Sequence, residues 1–183
     1  MTIEQCHKND LKDVKEISDQ QLGNNYLTES DLQHYYSSST SHILVARNLN
    51  KVIGFSIFII GNAEDILAEL GQEHNEVLKL LGKYNRAHLH KTTAVHQKHV
   101  EQGIGSALIK HAFRKNKADI YFSLIWKRKV QTPMFHIRTK LGFKPLCEID
   151  NYWSKNSITK SYDCPECGQP PCTCSLIIMT KRA

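Results

Sequence analysis

Four of the six cysteines fall within eleven residues near the C-terminal end, as Cys164-Pro165-Glu166-Cys167 and Cys172-Thr173-Cys174. Two close thiol pairs can deliver four thiolates to one tetrahedral ion, and Gly168 permits the tight turn in which backbone amides bond to sulfur. Zinc is the first expectation for Cys164, Cys167, Cys172 and Cys174; iron comes second by ligand type, and a redox dithiol third. A closed four-thiolate site has no open coordination position, so its expected part is structural. Pro165, Pro170 and Pro171 stiffen a loop too short to build its own core, which a bound metal would compensate.

A second stretch able to do chemistry runs from Val95 to Leu108, through Glu101-Gln102-Gly103-Ile104-Gly105-Ser106-Ala107. Glycines one residue apart at a strand-to-helix turn let backbone approach a ligand and leave the first helix amides unpaired, a setting suited to phosphate or pyrophosphate. Just upstream, strand alternation places His88, His90 and Thr92 on one face and Lys91 on the other. An imidazole has an ordinary pKa near ~6.5 and suits proton transfer at neutral pH. With ten histidines in the chain, packing or surface exposure is the commoner fate of any one of them. Cys6 and Cys147 stand alone in apolar stretches and read as buried thiols.

The elements that must carry these residues follow from periodicity. Strands are expected at Ile3–Cys6, His42–Asn48, Lys51–Ile60, Arg86–Val95, Asp119–Trp126, Phe143–Tyr152 and Ser175–Thr180. Helices are expected at Asp10–Ser18, from Thr28 onward with Asp31 completing a capping pair, at Ile104–Lys115, and at Gln131–Leu141 ending on Gly142. Between the third and fourth strands, residues 63–84 read as a helical insert interrupted by Gly71. The segment 163–175, which carries the cysteines, reads as an insert in the final hairpin. Asn48-Leu49-Asn50 implies an antiparallel hairpin, and the strand-helix-strand run around Val95 to Gly142 implies a right-handed parallel crossover. The expected architecture is one mixed α/β domain over 1–183.

With 183 residues, 40% hydrophobic and 23% charged, the chain can build a substantial single core. No apolar run reaches the ~20 residues of a membrane span. The N-terminal Met1-Thr2-Ile3-Glu4-Gln5 lacks the basic start and apolar block of a signal peptide, so the expected compartment is the cytoplasm. A net charge of +6 suits an anionic small ligand as well as nucleic acid.

Together these features resemble the GNAT superfamily of acyl-CoA-dependent N-acyltransferases. Val-Ile-Gly-Phe at 52–55 looks like that family's third strand, and Ala-Val-His at 94–96 with Gln-Gly-Ile-Gly-Ser-Ala-Leu at 102–108 looks like its CoA-pyrophosphate loop. Lys-Leu-Gly-Phe at 140–143 looks like the end of its fourth helix, and Met179-Thr180-Lys181 like its closing strand. The resemblance implies a mostly antiparallel sheet with a central parallel strand pair and flanking helices. It implies acetyl-CoA held by Ala94, Val95, Glu101, Gln102, Gly103, Ile104, Gly105, Ser106, Ala107 and Gln131. It also implies direct attack of a primary amine on the thioester, with an oxyanion stabilised by amides near Val95. Four departures stand out. Val100 occupies a position where the family usually has Arg or Gln, Gln97 one where Pro is frequent, Gln131 one where Asn is frequent, and Arg138 one where a Tyr often protonates the departing thiolate. Arg138 cannot readily donate a proton at neutral pH, but it can stabilise a thiolate electrostatically or contact a phosphate. His90 is the candidate base and Arg138 the candidate for the leaving group.

Two other readings remain from the residues. One is a zinc-knuckle module binding nucleic acid through Trp126 and Lys127-Arg128-Lys129. Against it, Asp163 to Cys174 contains no Lys or Arg. The other is a CoA-binding homologue that does not turn over. The acceptor expected of the enzyme is a small-molecule or peptide amine. No membrane partner is expected, and a homodimer is left open.

Overall fold

The computed structural model describes residues 1–70, 75–128 and 132–183. Seven strands form one sheet in the order β1-β2-β3-β4-β5-β7-β6. They are β1 (Thr2–Gln5), β2 (Ser41–Asn48), β3 (Lys51–Gly61), β4 (Ala87–Val95), β5 (Ile120–Lys127), β6 (Lys144–Ile149) and β7 (Ser175–Arg182). Every neighbouring pair is antiparallel except β4 and β5. The architecture is thus the mixed, mostly antiparallel sheet with one parallel pair that the sequence implied.

Among the described residues, seven α-helices cover the sheet: α1 (Leu11–Leu22), α2 (Glu29–Ser37), α3 (Ala63–Leu70), α4 (Asn75–Leu81), α5 (Ile104–Lys115), α6 (Pro133–Lys140) and α7 (Ser154–Lys160). Thr28 caps α2 as its sequence suggests: its hydroxyl accepts from the Asp31 amide at 3.1 Å, and Asp31 accepts from the Thr28 amide at 2.8 Å. The continuous apolar run of β3 is explained by burial on both faces. Phe55 and Ile57 pack with Val14, Ile17 and Leu32 of α1 and α2, while Phe58 and Ile60 pack with Leu108 and Ala112 of α5. Each such side chain contributes about 2 kcal/mol of apolar burial, so both helical layers are pinned to this strand.

Three expectations differ from the structure. α1 runs to Leu22, four residues past the expected Ser18. The expected strand Phe143–Tyr152 is shorter, Lys144–Ile149, and is followed by α7, which the sequence reading does not contain. Its sequence Ser-Lys-Asn-Ser-Ile-Thr-Lys carries no apolar stripe: its one large apolar residue, Ile158, is exposed, and the face it buries is Ser157. Third, Thr92 does not share a face with His90. A β-bulge shifts the register, so that Phe58 pairs with His90 but Ile57 pairs with Thr92, leaving Lys91 as the extra residue. Cross-strand partners share a face, so the bulge sends His90 to the α5 side and Thr92 to the α1 side. The expected interruption at Gly71 lies outside the described residues, with α3 ending at Leu70 before it and α4 beginning at Asn75 after it.

No helix among the described residues is long and apolar enough to cross a membrane.

Candidate active site and metal centre

The parallel pairing of β4 and β5 covers only Ala87–His90 against Ile120–Ser123. Beyond it both strands continue, β4 to Val95 and β5 to Lys127, without pairing to each other. The sheet therefore forks at His90 and Ser123. A cavity of ≈ 430 Å³ occupies the fork, lined by Thr92 to Val95 of β4, Leu124 and Trp126 of β5, and Met134 of α6. Its volume is in the range of small-molecule sites. On the α1 side it extends to Tyr26, Tyr35, Glu69, Lys91, Tyr152 and Trp153.

At the end of β4, residues 97–99 make a 3-10 turn and the chain reaches Gly103 in a left-handed conformation, φ 77°. That φ disfavours side chains with a Cβ. Glu101 is also left-handed, φ 64°. The helix α5 starts at Ile104, and the first amide to close a bond within that turn is Ala107, to the Gly103 carbonyl at 3.0 Å. The amides of Ile104, Gly105 and Ser106 precede it and have no intrahelical acceptor. Ala94, Val95 and Val100 line the cavity, so the turn and the fork adjoin. Gln131, expected to contact the cofactor, lies outside the described residues.

His90 and Arg138 come together from β4 and α6. Both are buried, Arg138 at 0% exposure. The Arg138 guanidinium donates from Nη2 to His90 Nδ1 at 2.8 Å and from Nε to Ser123 Oγ at 2.6 Å, and it lies over the rings of Phe113 and Phe143. A guanidinium can only donate, so His90 Nδ1 is the acceptor and the ring proton sits on Nε2. That nitrogen is 2.7 Å from Thr93 Oγ1, whose hydroxyl donates to Ser56 Oγ at 2.9 Å. Burial, then the Arg138 charge, hold the His90 pKa well below the ordinary histidine value. Burial also brings the Arg138 pKa down to about 9, which leaves it charged at neutral pH. His90 lines the cavity, whereas Arg138 stands behind it and does not.

Reasoning along the sequence missed a cluster on the other side of the fork. Lys91, on the face of β4 opposite His90, donates to Glu69 Oε1 of α3. Tyr35 of α2 donates to the same carboxylate, 2.9 Å from Oε1 and 3.2 Å from Oε2. Burial opposes the Lys91 charge, but the surrounding Tyr35 and Glu69 oxygens outweigh it and hold its pKa well above the usual lysine value. The contacts span 34 and 22 positions of sequence, and no local spacing announces them.

The four clustered cysteines also converge. Their sulfurs lie within 4.8 Å of one another, with Cys164–Cys174 at 3.8 Å, Cys167–Cys174 at 3.4 Å and Cys167–Cys172 at 3.9 Å. A tetrahedral ion with Zn–S bonds near 2.3 Å needs sulfurs about 3.8 Å apart, so the donor set suits such an ion. The spacing is far too long for disulfides, which require about 2.05 Å. Gly168, at φ 78°, closes the knuckle: its amide donates to the Cys164 carbonyl at 2.7 Å and its carbonyl accepts from the Cys164 amide at 2.9 Å. Burial would raise the Cys167 thiol, but bonds from the Thr173 hydroxyl and amide bring it down to about 6.

The knuckle is tied to the cavity walls. Cys172 N donates to Ser157 Oγ of α7 at 2.8 Å, and Asp163 N donates to the Asn24 carbonyl at 3.2 Å. Tyr162 meets Tyr26 edge to face at 5.8 Å, and both rings line the cavity, as does Cys164. Of the basic run weighed for nucleic acid, Lys127 pairs with Glu148 at 2.6 Å and Arg128 with Glu166 at 2.7 Å. Lys129 lies outside the described residues.

Comparison with known proteins agrees with this geometry. The fold is similar to that of the Escherichia coli ribosomal-protein-S18-alanine N-acetyltransferase, with a TM-score of 0.64 at 16% identity over 99% of this chain and 92% of that one. It is also similar to Arabidopsis thaliana NAA60 in complex with acetyl-CoA, with a TM-score of 0.68 at 11% identity over 99% and 97% of the two chains. The IAA acetyltransferase of Bacillus cereus matches with a TM-score of 0.65 at 16% identity over 100% and 99%. No curated protein matches by sequence. The profile of the acetyltransferase (GNAT) family matches residues 11–143, from the start of α1 to the end of the α6 turn, and the chain belongs to that family of acetyltransferases.

Proposed function

We propose that the protein transfers an acetyl group from acetyl-CoA to a primary amine by direct attack. The observation that carries this reading is one cavity continuous through the β4–β5 fork, reaching from Val95 and Val100 beside the amide turn to Tyr35, Glu69 and Tyr152 on the opposite side. Such a passage lets two reactants meet from opposite faces in a set geometry, which accounts for much of the rate of a bimolecular transfer.

In this reading the amides from Glu101 to Ala107 and the positive end of α5 hold the pyrophosphate, and Ala94 and Val95 flank the thioester arm. Acetyl-CoA supplies the activated acyl group. His90 is a neutral imidazole with its Nδ1 lone pair engaged and its Nε2 proton committed to Thr93, so we propose that it shapes the fork rather than receiving the amine's proton. Arg138 acts through His90 and Ser123: its buried charge favours the negative charge that develops at the carbonyl oxygen and the departing sulfur. The four cysteines hold a structural zinc that braces α7 and the α1–α2 loop, two walls of the acceptor side. The ion pairs that occupy Lys127 and Arg128 favour the enzyme over a nucleic-acid module.

Calorimetric titration with acetyl-CoA, CoA and a short RNA tests the reading. Saturable binding of acetyl-CoA, coupled to acetylation in an amine and peptide screen read by mass spectrometry, is the expected result. Failure to bind either thioester or thiol would end it.

A further inference from the structure

The Glu69 cluster has the form of an amine-handling site. Among the described residues, Glu69 is the one carboxylate lining the cavity, and its side chain is 11% exposed. Lys91 and the shorter Tyr35 contact both fall on Oε1. Among the described residues Oε2 has only the 3.2 Å Tyr35 contact, so it retains acceptor capacity. The Lys91 ammonium also stands 5.5 Å from the Tyr35 ring centroid, a cation held by a carboxylate and an aromatic face. An entering ammonium would find the same two kinds of partner here.

Resting on the acetyl-transfer reading above, we propose that Glu69, held by Lys91 and Tyr35 on the α1 side of the fork, receives the proton of the acceptor. The acceptor is accordingly a primary amine that enters as its ammonium ion. Glu69 takes one proton from the ammonium, freeing the nitrogen lone pair. That lone pair forms the C–N bond to the acetyl carbon, the C–S bond breaks, and its electron pair leaves on sulfur. Of the two protons the nitrogen loses in becoming an amide, one ends on the CoA thiol and the other passes to solvent. Lys91 assists in two ways. It holds the Glu69 carboxylate in place, and its positive charge beside the bound ammonium makes that ammonium a stronger acid.

Two amines of similar size separate this role from a structural one: ethylamine, protonated at neutral pH, and 2,2,2-trifluoroethylamine, largely neutral there. Glu69→Gln preserves the shape and the bonds to Lys91 and Tyr35. It is expected to lower kcat/KM for ethylamine about 100-fold, in the range of general-base contributions, and for trifluoroethylamine by less than about 5-fold. Acetyl-CoA affinity stays unchanged, which also reports an intact fold, and Glu69→Asp recovers part of the ethylamine rate. An equal loss for both amines, or no loss for ethylamine, overturns the proposal. So does a wild-type protein that binds acetyl-CoA yet acetylates neither amine. A wild-type protein that binds no acetyl-CoA fails one step earlier, at the acetyl-transfer reading itself.

Discussion

Arg138 Nη2 lies 2.8 Å from His90 Nδ1, and among the described residues neither side chain has a carboxylate partner. A guanidinium at 0% exposure with a neutral imidazole and a serine for company is poorly compensated at rest. Among the described residues its Nη1 has no hydrogen-bond partner. The arrangement makes sense if negative charge appears nearby during turnover, and it fixes the His90 tautomer meanwhile.

Arg138→Met should therefore free His90 Nδ1. The expected outcome is a drop in kcat of about 10-fold or more with little change in KM for the acceptor, since one preorganised charge is withdrawn. Ring-nitrogen NMR should show His90 leaving its single tautomer and its pKa rising. Arg138→Lys keeps the charge, loses the paired bonds, and should fall between the two.

Acid should destabilise the fold from below neutrality. His88 is at 0% exposure and, among the described residues, neither ring nitrogen has a hydrogen-bond partner; burial brings its pKa down to about 3. The unfolded chain takes a proton at this position near ~6.5. The stabilising contribution of neutral His88 is thus complete above that pH. It shrinks as pH falls towards about 3, by up to about 1.4 kcal/mol per pH unit. His88→Phe, which keeps an aromatic ring against Phe58, Phe113 and Tyr121, should flatten the pH dependence of urea midpoints measured between pH 7.5 and 4.5, conditions chosen around that ~6.5 reference.

The glycine turn makes a conformational prediction. Nothing lies within 4 Å of a Cβ built on Gly103, whose φ is +77°, so Gly103→Ala meets strain without collision. It should cost about 1 kcal/mol of stability and Gly103→Asn less, because Asn tolerates the left-handed region. Thermal melts measure both, and acetyl-CoA affinity should weaken in the order Asn, then Ala.

Removing metal should loosen one side of the cavity. Cys164→Ser combined with Cys167→Ser is expected to lose about one zinc per chain, the stoichiometry of a single four-thiolate site. Hydrogen exchange should rise over residues 155–175 and in the loop around Asn24, with acetyl-CoA affinity largely kept. Gly23→Ala attacks the same contact from the other side, since its Cβ would fall 2.0 Å from the Asp163 carbonyl oxygen. Elemental analysis and exchange mass spectrometry check both arms; full metal content in the cysteine double variant would refute the site.

Local features were legible in the sequence. The α5 helix begins and ends where its apolar spacing and Gly103 place it, the Thr28 cap forms, and the four cysteines converge because only short loops separate them. Helix α7 was not legible, because six of its seven residues are polar and it buries a serine instead of an apolar stripe. The face of Thr92 was not legible either, since a bulge is a property of two strands together.

The sequence by itself determined that a strand-to-helix glycine turn offers free amides and that four thiols can share one ion, because both depend on neighbours along the chain. Only the tertiary structure decided what faces the fork. The bulge turns Thr92 to the side of Lys91, while His90 meets Arg138 and Lys91 meets Glu69 and Tyr35. Those partners come from different elements, and packing, not spacing, brings them together.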